Sequence, residues 1–396
     1  MKKRYKIIKF INEHKNWRQI LTSEPYNLKV KEDDDYILLK YNQLFSDLTN
    51  PLVQEARGII IKKEKGKYKP VCLPFTKFFA LRDPNAKNAI YKLCHQKKWL
   101  LEQKIDGSLI KLWYDNNKWH VSTNGSIDAY KAEITLKVND INTYGQMFDL
   151  ASENKIDYTL LDKNFTYMFE LVGLENKVVV PYEKEDIYYL GKRNNYSFIE
   201  TSYYEDDCKG VEKCKRPQCS IIEVKSPKKD LNYIQNMADN LTKGDENFEG
   251  FVVSDINLKS RIKVKSKEYM ELFAIKGNGV FTNKKILLLI LDSKDDDVIS
   301  LFPEFKNQFD SVRRALCIWL EKVKKDLKYL DCHTWENQRD FAEWAKNTTC
   351  PSIVFAAKKT ENYWQDGWLE NQVNNIRLEN LLKNIGMEDN NDIREV

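Results

Sequence analysis

The feature that most constrains this chain is a change in apolar periodicity near Gly277-Asn278-Gly279. Upstream of it, apolar residues come in short β-type runs: Leu109–Tyr114, Trp119–Ser122, Tyr167–Val172, Lys177–Val180, Ile187–Leu190, Phe251–Ser254 and Arg261–Val264. Runs of this length, bounded by turn residues, are strands, and Asp115-Asn116-Asn117 between two of them predicts a hairpin. Tyr36–Tyr41 and Gly58–Ile61 add strands near the start, where Pro70, Pro74 and Pro84 mark loops. Ser126–Val138 and Leu231–Lys243 read as helices. Downstream, the spacing becomes three to four across Lys284–Leu291, Phe309–Tyr329, Gln338–Lys346 and Asn371–Ile385, the period of amphipathic helices. The expectation is an α+β body over residues 1–279 and an all-helical domain over residues 280–396.

A chain of 396 residues has room for two or three domains. Its longest apolar run, Ile286–Leu291, falls far short of the ~18 residues of a membrane span, and its basic start lacks a leader-type apolar core. The expected setting is the cytoplasm, with no membrane partner. Eight scattered cysteines read as reduced thiols, and Cys208, Cys214 and Cys219 read as a surface insertion because no CxxC pair or nearby histidine completes a zinc tetrahedron. Only four histidines are present, so lysines and carboxylates are the working groups. Residues 281–396 carry 17 basic and 20 acidic side chains, which leaves 47 and 39 for residues 1–280. That basic excess suits a polyanionic ligand.

The sharpest local signal is Lys104-Ile105-Asp106-Gly107-Ser108, at the end of an apolar run. A lysine is a nucleophile when its amine is neutral, which nearby cations or desolvation favour, and glycine permits close backbone approach to a ligand. Lys-x-Asp-Gly alone is weak. Around it stand Glu55-Ala56-Arg57-Gly58, Phe75-Thr76-Lys77-Phe78-Phe79, Phe169-Glu170-Leu171-Val172, Glu249-Gly250-Phe251 and Lys263-Val264-Lys265-Ser266, with Tyr269 following. In this order and register the string resembles the covalent nucleotidyltransferase motifs of ATP-dependent ligases, and especially the RNA ligase 1 family of bacteriophage T4. The likeness spans roughly residues 36–275 and includes Phe169 through Val179.

The resemblance implies an ATP-grasp-like nucleotidyltransferase body with antiparallel sheets. It implies an enzyme that uses ATP with Mg²⁺ or Mn²⁺ and joins RNA 3′-hydroxyl and 5′-phosphate ends, nicked tRNA being one candidate, as a monomer. Lys104 would take AMP; Lys263 and Lys265, two apart on a strand and so on one face, would hold phosphates. Glu249 would orient Lys104 and a hydrated divalent cation, and Glu170 would meet the ribose. Arg57 and Lys77 would hold phosphates, Phe79, Asp106 and Gly107 would line the nucleotide, and Tyr269 would contact phosphate or nucleoside. Asn124 departs from the pattern, since the family often has a basic residue before Gly125-Ser126. Two other readings stay open: a DNA ligase or capping-type enzyme, and a non-catalytic nucleic-acid binder.

Overall fold

The computed structural model of the chain describes residues 5–42, 45–134, 141–173, 182–204, 208–242, 248–267, 269, 282–301, 305–360, 363 and 367–388. The chain divides into two compact units, Met1–Lys276 and Gly277–Val396.

The first unit is built on three sheets. The first sheet runs in chain order through β1 (Leu28–Asp33), β2 (Tyr36–Tyr41), β3 (Arg57–Glu64) and β4 (Lys67–Cys72), all antiparallel. Its central strands are apolar on both faces because both are covered. Helices α1 (Lys6–Glu13) and α2 (Trp17–Thr22) pack Ile7, Ile11, Trp17 and Leu21 on Leu39, Ile59 and Ile61, while Leu38, Ile60 and Cys72 meet Trp113 and Ile127 on the other side. Between β2 and β3, Asn50 caps the short α3 (Pro51–Glu55), with its side chain accepting from the Leu52 N–H.

The second sheet has the order β12 (Cys219–Glu223), β6 (Lys98–Gln103), β13 (Gly250–Asp255), β14 (Arg261–Lys265), β5 (Phe79–Ala80). Helices α4 (Lys87–Cys94) and α6 (Pro227–Thr242) flank it in the chain, and Leu93, Leu231 and Ile234 join Trp99, Phe251 and Ile262 in its core. The third sheet is β11 (Glu200–Ser202), β10 (Asp186–Asn194), β9 (Phe165–Val172), β7 (Ser108–Asp115), β8 (Lys118–Thr123). It carries α5 (Tyr144–Ser152), started by a Thr143–Gln146 capping box. The β7–β8 turn uses Asn116 and Asn117 at φ 48° and 61°, the left-handed pair that a tight hairpin needs.

The regular secondary structure among the second unit's described residues is all helical: α7 (Asn283–Leu291), α8 (Asp295–Leu301), α9 (Lys306–Cys332), α10 (Gln338–Lys346), α11 (Pro351–Lys359), α12 (Trp368–Asn374) and α13 (Leu378–Asn384). Along α9 the buried positions Phe309, Val312, Leu316, Trp319, Leu320, Val323 and Leu327 form the stripe that the periodicity predicts.

Four local expectations are corrected. Pro70 lies inside β4, not in a loop; β4 is an edge strand with a register shift beside Pro70, the setting that tolerates a missing N–H. Ser126–Val138 is not one α-helix, because its described part holds only a 3₁₀ turn at Ala129–Lys131 and a bridge from Glu133 to Thr143. Asn371–Ile385 is two helices broken after Asn374, where consecutive asparagines compete with helical hydrogen bonding. Cys208 and Cys214 are not on the surface; they are buried in the core of the third sheet, with Cys219 packed against it. The expected strand Lys177–Val180, and the family-like positions Leu174–Val179, lie outside the described residues.

Candidate active site

Strand pairing assembles the centre. β13 pairs with β6 on one side and β14 on the other, with Gly250 opposite Lys265 and the Lys104 N–H donating to the Gly250 carbonyl at 2.8 Å. Glu249, one residue ahead of β13, is therefore flanked by both lysines. Its Oε2 accepts from Lys104 Nζ at 2.6 Å and its Oε1 pairs with Lys265 Nζ at 2.8 Å. The carboxylate is 1% exposed, whereas Lys104 keeps 21% of its side chain accessible. A buried carboxylate held between two ammonium groups gains short, charge-assisted bonds and fixes the position of both amines. Gly250 makes the row possible: its φ is 144°, and a Cβ there would come within 2.2 Å of the Val264 carbonyl oxygen.

Beyond Lys104 the chain turns through Asp106 and Gly107 into β7 of the third sheet. A Cβ on Gly107 would lie 2.4 Å from the Leu171 carbonyl oxygen, so the turn lies directly against β9. Glu170, opposite Leu109 on β9, is thereby brought beside Lys104. Burial pushes its carboxyl up to about 7; the Lys104 and Arg57 charges pull it down, and Glu249 and Asp106 push it further up. Those four neighbours place Glu170, Lys104, Arg57, Glu249 and the buried Asp106 in one site.

A cationic side joins this centre. Arg57 begins β3 and lies 5.3 Å over the Phe78 ring; Lys263 Nζ lies 6.0 Å from the same ring. Lys77 Nζ sits 4.9 Å over Tyr41 and 5.4 Å over Phe79, a ring buried in the core of the second sheet. The field shows in Tyr41. Burial pushes its hydroxyl up, yet Lys77, Arg57, Lys263 and Lys40 together bring it below the ordinary tyrosine value. Tyr269 is buried, with Lys265 Nζ 5.3 Å over its ring, so it backs a site lysine. Lys263 and Lys265 share the partly exposed face of β14, while Ile262 and Val264 point into the core.

Sequence reasoning missed Tyr41, Tyr182 and Lys111. The Tyr182 hydroxyl hydrogen-bonds the Asp106 backbone and feels the Glu249 charge, and Lys111 is wholly buried beneath Gly58. No motif marks the two tyrosines; Lys111, between the apolar residues Ile110 and Leu112, was the visible signal. For a divalent cation, the described residues contain no group of three or more side chains able to form a cage. Both Glu249 oxygens are engaged by lysines. These carboxylates fit a cation that keeps its water shell, held outside Glu249 and Glu170, and such a cation would supply charge neutralisation on phosphates.

A family profile described as RNA ligase, of the T4 RNA ligase 1 type, matches residues 55–271. The chain belongs to the RNA ligase family. The match covers every motif residue of the site. It lies inside the first unit and leaves out the described helical residues of the second. A protein of Autographa californica nuclear polyhedrosis virus, provisionally named a bifunctional polynucleotide kinase/RNA ligase, is 29% identical over 302 residues; the alignment covers 72% of this chain and 40% of that protein. The RNA ligase of Rhodothermus phage RM378 is 26% identical over 311 residues, 64% of this chain and 70% of that one. Among solved structures, an archaeal ATP-dependent RNA ligase is similar with 11% identity and a TM-score of 0.42, over 76% of this chain and 81% of that one. Among the described residues, no helix is long and apolar enough to cross a membrane.

Proposed function

We propose that this chain is an ATP-dependent RNA ligase that works through a lysyl-AMP intermediate on Lys104. The carrying observation is the row Lys104–Glu249–Lys265, in which one buried carboxylate aims an accessible amine beside a second cation. In the first step the neutral Lys104 amine attacks the α-phosphorus of ATP. An N–P bond forms, the P–O bond to the β-phosphate breaks, pyrophosphate leaves and the amine proton is released. Lys265 and Lys263 stand on the face where phosphate charge develops, and Arg57 and Lys77 extend the positive surface towards the leaving group. Glu170 accepts from the ribose hydroxyls. An RNA 5′-phosphate then displaces Lys104 from the AMP, and an RNA 3′-hydroxyl attacks that phosphate and expels AMP. The substrate is RNA with 3′-hydroxyl and 5′-phosphate ends, and the helical second unit selects among such ends.

The test is incubation with labelled ATP or GTP and Mg²⁺ or Mn²⁺, with the adduct mapped by mass spectrometry. Label from ATP alone, on Lys104, is the expected result. Label from GTP would favour a capping-type enzyme, and AMP on Lys98 or Lys111 would overturn the assignment of the nucleophile. The helical second unit speaks for a ligase of the RNA type, since the described residues after Gly277 supply no strand for a β-barrel.

A further inference from the structure

Lys111 is the one lysine among the described residues whose side chain is fully buried, at 0% exposure. It projects from β7 under the first sheet, and its Nζ donates to the carbonyl oxygen of Gly58. Burying an ammonium group is costly unless its charge is answered. The charged and titratable groups acting on it from the packed strands are Cys72 of β4, Lys40 of β2 and Arg57 of β3. Burial pushes the Cys72 thiol up to about 11, which leaves it neutral at pH 7, so the two charged neighbours are cations.

The backbone that Lys111 holds is the root of the Arg57 side chain, and it is a confined one. Gly58 has φ 78°, and a Cβ there would lie 2.7 Å from the Asn124 carbonyl oxygen. Arg57 Nη1 and Asn124 Oδ1 are both buried without a hydrogen-bond partner. Thus the clamped start of β3 carries a guanidinium with unmet bonding capacity, above an ammonium that no carboxylate among the described residues answers.

We infer that Lys111 is a positioning residue for nucleotide phosphates: from the interior it fixes the Gly58 carbonyl, aims Arg57, and keeps the cationic side of the site in need of an external anion. The inference rests on the ATP-binding reading given above. It assigns to the interior a charge that Asn124, whose backbone lies against Gly58, does not carry. Burial pulls the Lys111 ammonium down to about 8, so its positive charge is lost just above neutral pH unless an anion is bound.

The experiment compares the full-length wild type with Lys111→Met and Lys111→Gln, measuring calorimetric binding of α,β-methylene-ATP with Mg²⁺ and thermal unfolding. Lys111→Met should bind about ten- to a hundredfold more weakly, the loss expected when the Arg57 it aims no longer makes its charge-assisted contact. It should be no less stable than wild type at pH 7. Lys111→Gln, which keeps a donor for Gly58 without the charge, should fall between the two, and it carries the comparison if the methionine variant does not fold. Wild-type affinity should weaken as pH rises through about 8, and this weakening should be absent in Lys111→Met. Unchanged affinity in the variants, or affinity lost only in proportion to lost folded protein, would show a merely structural lysine and overturn the inference. If wild type itself fails to bind the analogue, the ATP reading falls and takes this inference with it.

Discussion

At the scale of single residues, the site sets the more accessible Lys104 amine beside the more buried Lys265, both held by Glu249. Lys104→Ala should abolish lysyl-AMP formation and leave the thermal unfolding transition intact, because Lys265 still answers the buried Glu249 carboxylate. Lys265→Met should slow adduct formation by about a hundred- to a thousandfold, the effect of removing one preorganised charge from a transition state; a single-turnover ATP assay measures it. Glu170 supplies a pH test with a definite sign. Its carboxyl titrates near 7 in the folded chain against an ordinary value of 4.5, so the folded state holds the extra proton between those values. Wild-type stability should therefore fall as pH rises from 4.5 to 7, and Glu170→Gln should lack that fall. Chemical denaturation at pH 4 and pH 8 reads the difference; an equal pH response in both proteins would contradict it.

At the scale of elements, the centre depends on backbone that only particular residues permit. Gly250 starts the strand that sets Glu249 between its lysines, and Gly250→Ala should cost about 1–3 kcal/mol through its strained φ and the Val264 carbonyl. The denaturation midpoint and adduct yield should fall together, since the same row carries both. A second element-level device is the buried Glu200, paired with Arg193 of β10 and with Arg261 of β14 at 2.6 Å, which joins the second and third sheets. Burial pushes the Glu200 carboxyl up, but Arg261 and Arg193 together outweigh this and leave it below the usual carboxylate range. Its contribution is therefore present above the ordinary carboxylate pKa and lost as pH falls below it. Glu200→Gln should destabilise by about 3–5 kcal/mol near neutral pH, as expected when two buried cations lose their anion, and by less in acid. Most strands and the long helix α9 were legible in the sequence because periodicity reports which face is covered. The edge placement of Pro70 was not, since an edge strand is defined by the neighbour it lacks.

At the scale of the whole molecule, the motif residues end by Tyr269 and the family match by residue 271, while the second unit buries Ile286, Leu289, Phe309, Leu316, Ile353 and Leu381. A chain ending after Lys276 should fold and form lysyl-AMP, and should change which RNA ends it seals when given pre-adenylylated RNA. A soluble, folded truncation unable to form the adduct would mean that the second unit completes the active site. The sequence by itself determined the fold class, the change from mixed body to helices, the family and the motif lysine proposed as nucleophile, because periodicity and short motifs are local properties of a chain. Only the tertiary structure decided that Glu249 lies between Lys104 and Lys265, that burial raises the Glu170 carboxyl to about 7, and that Lys111 is buried beneath Gly58. Those facts arise from strands far apart in sequence meeting across sheets, where distance and dielectric, not residue order, set the energy of a charge.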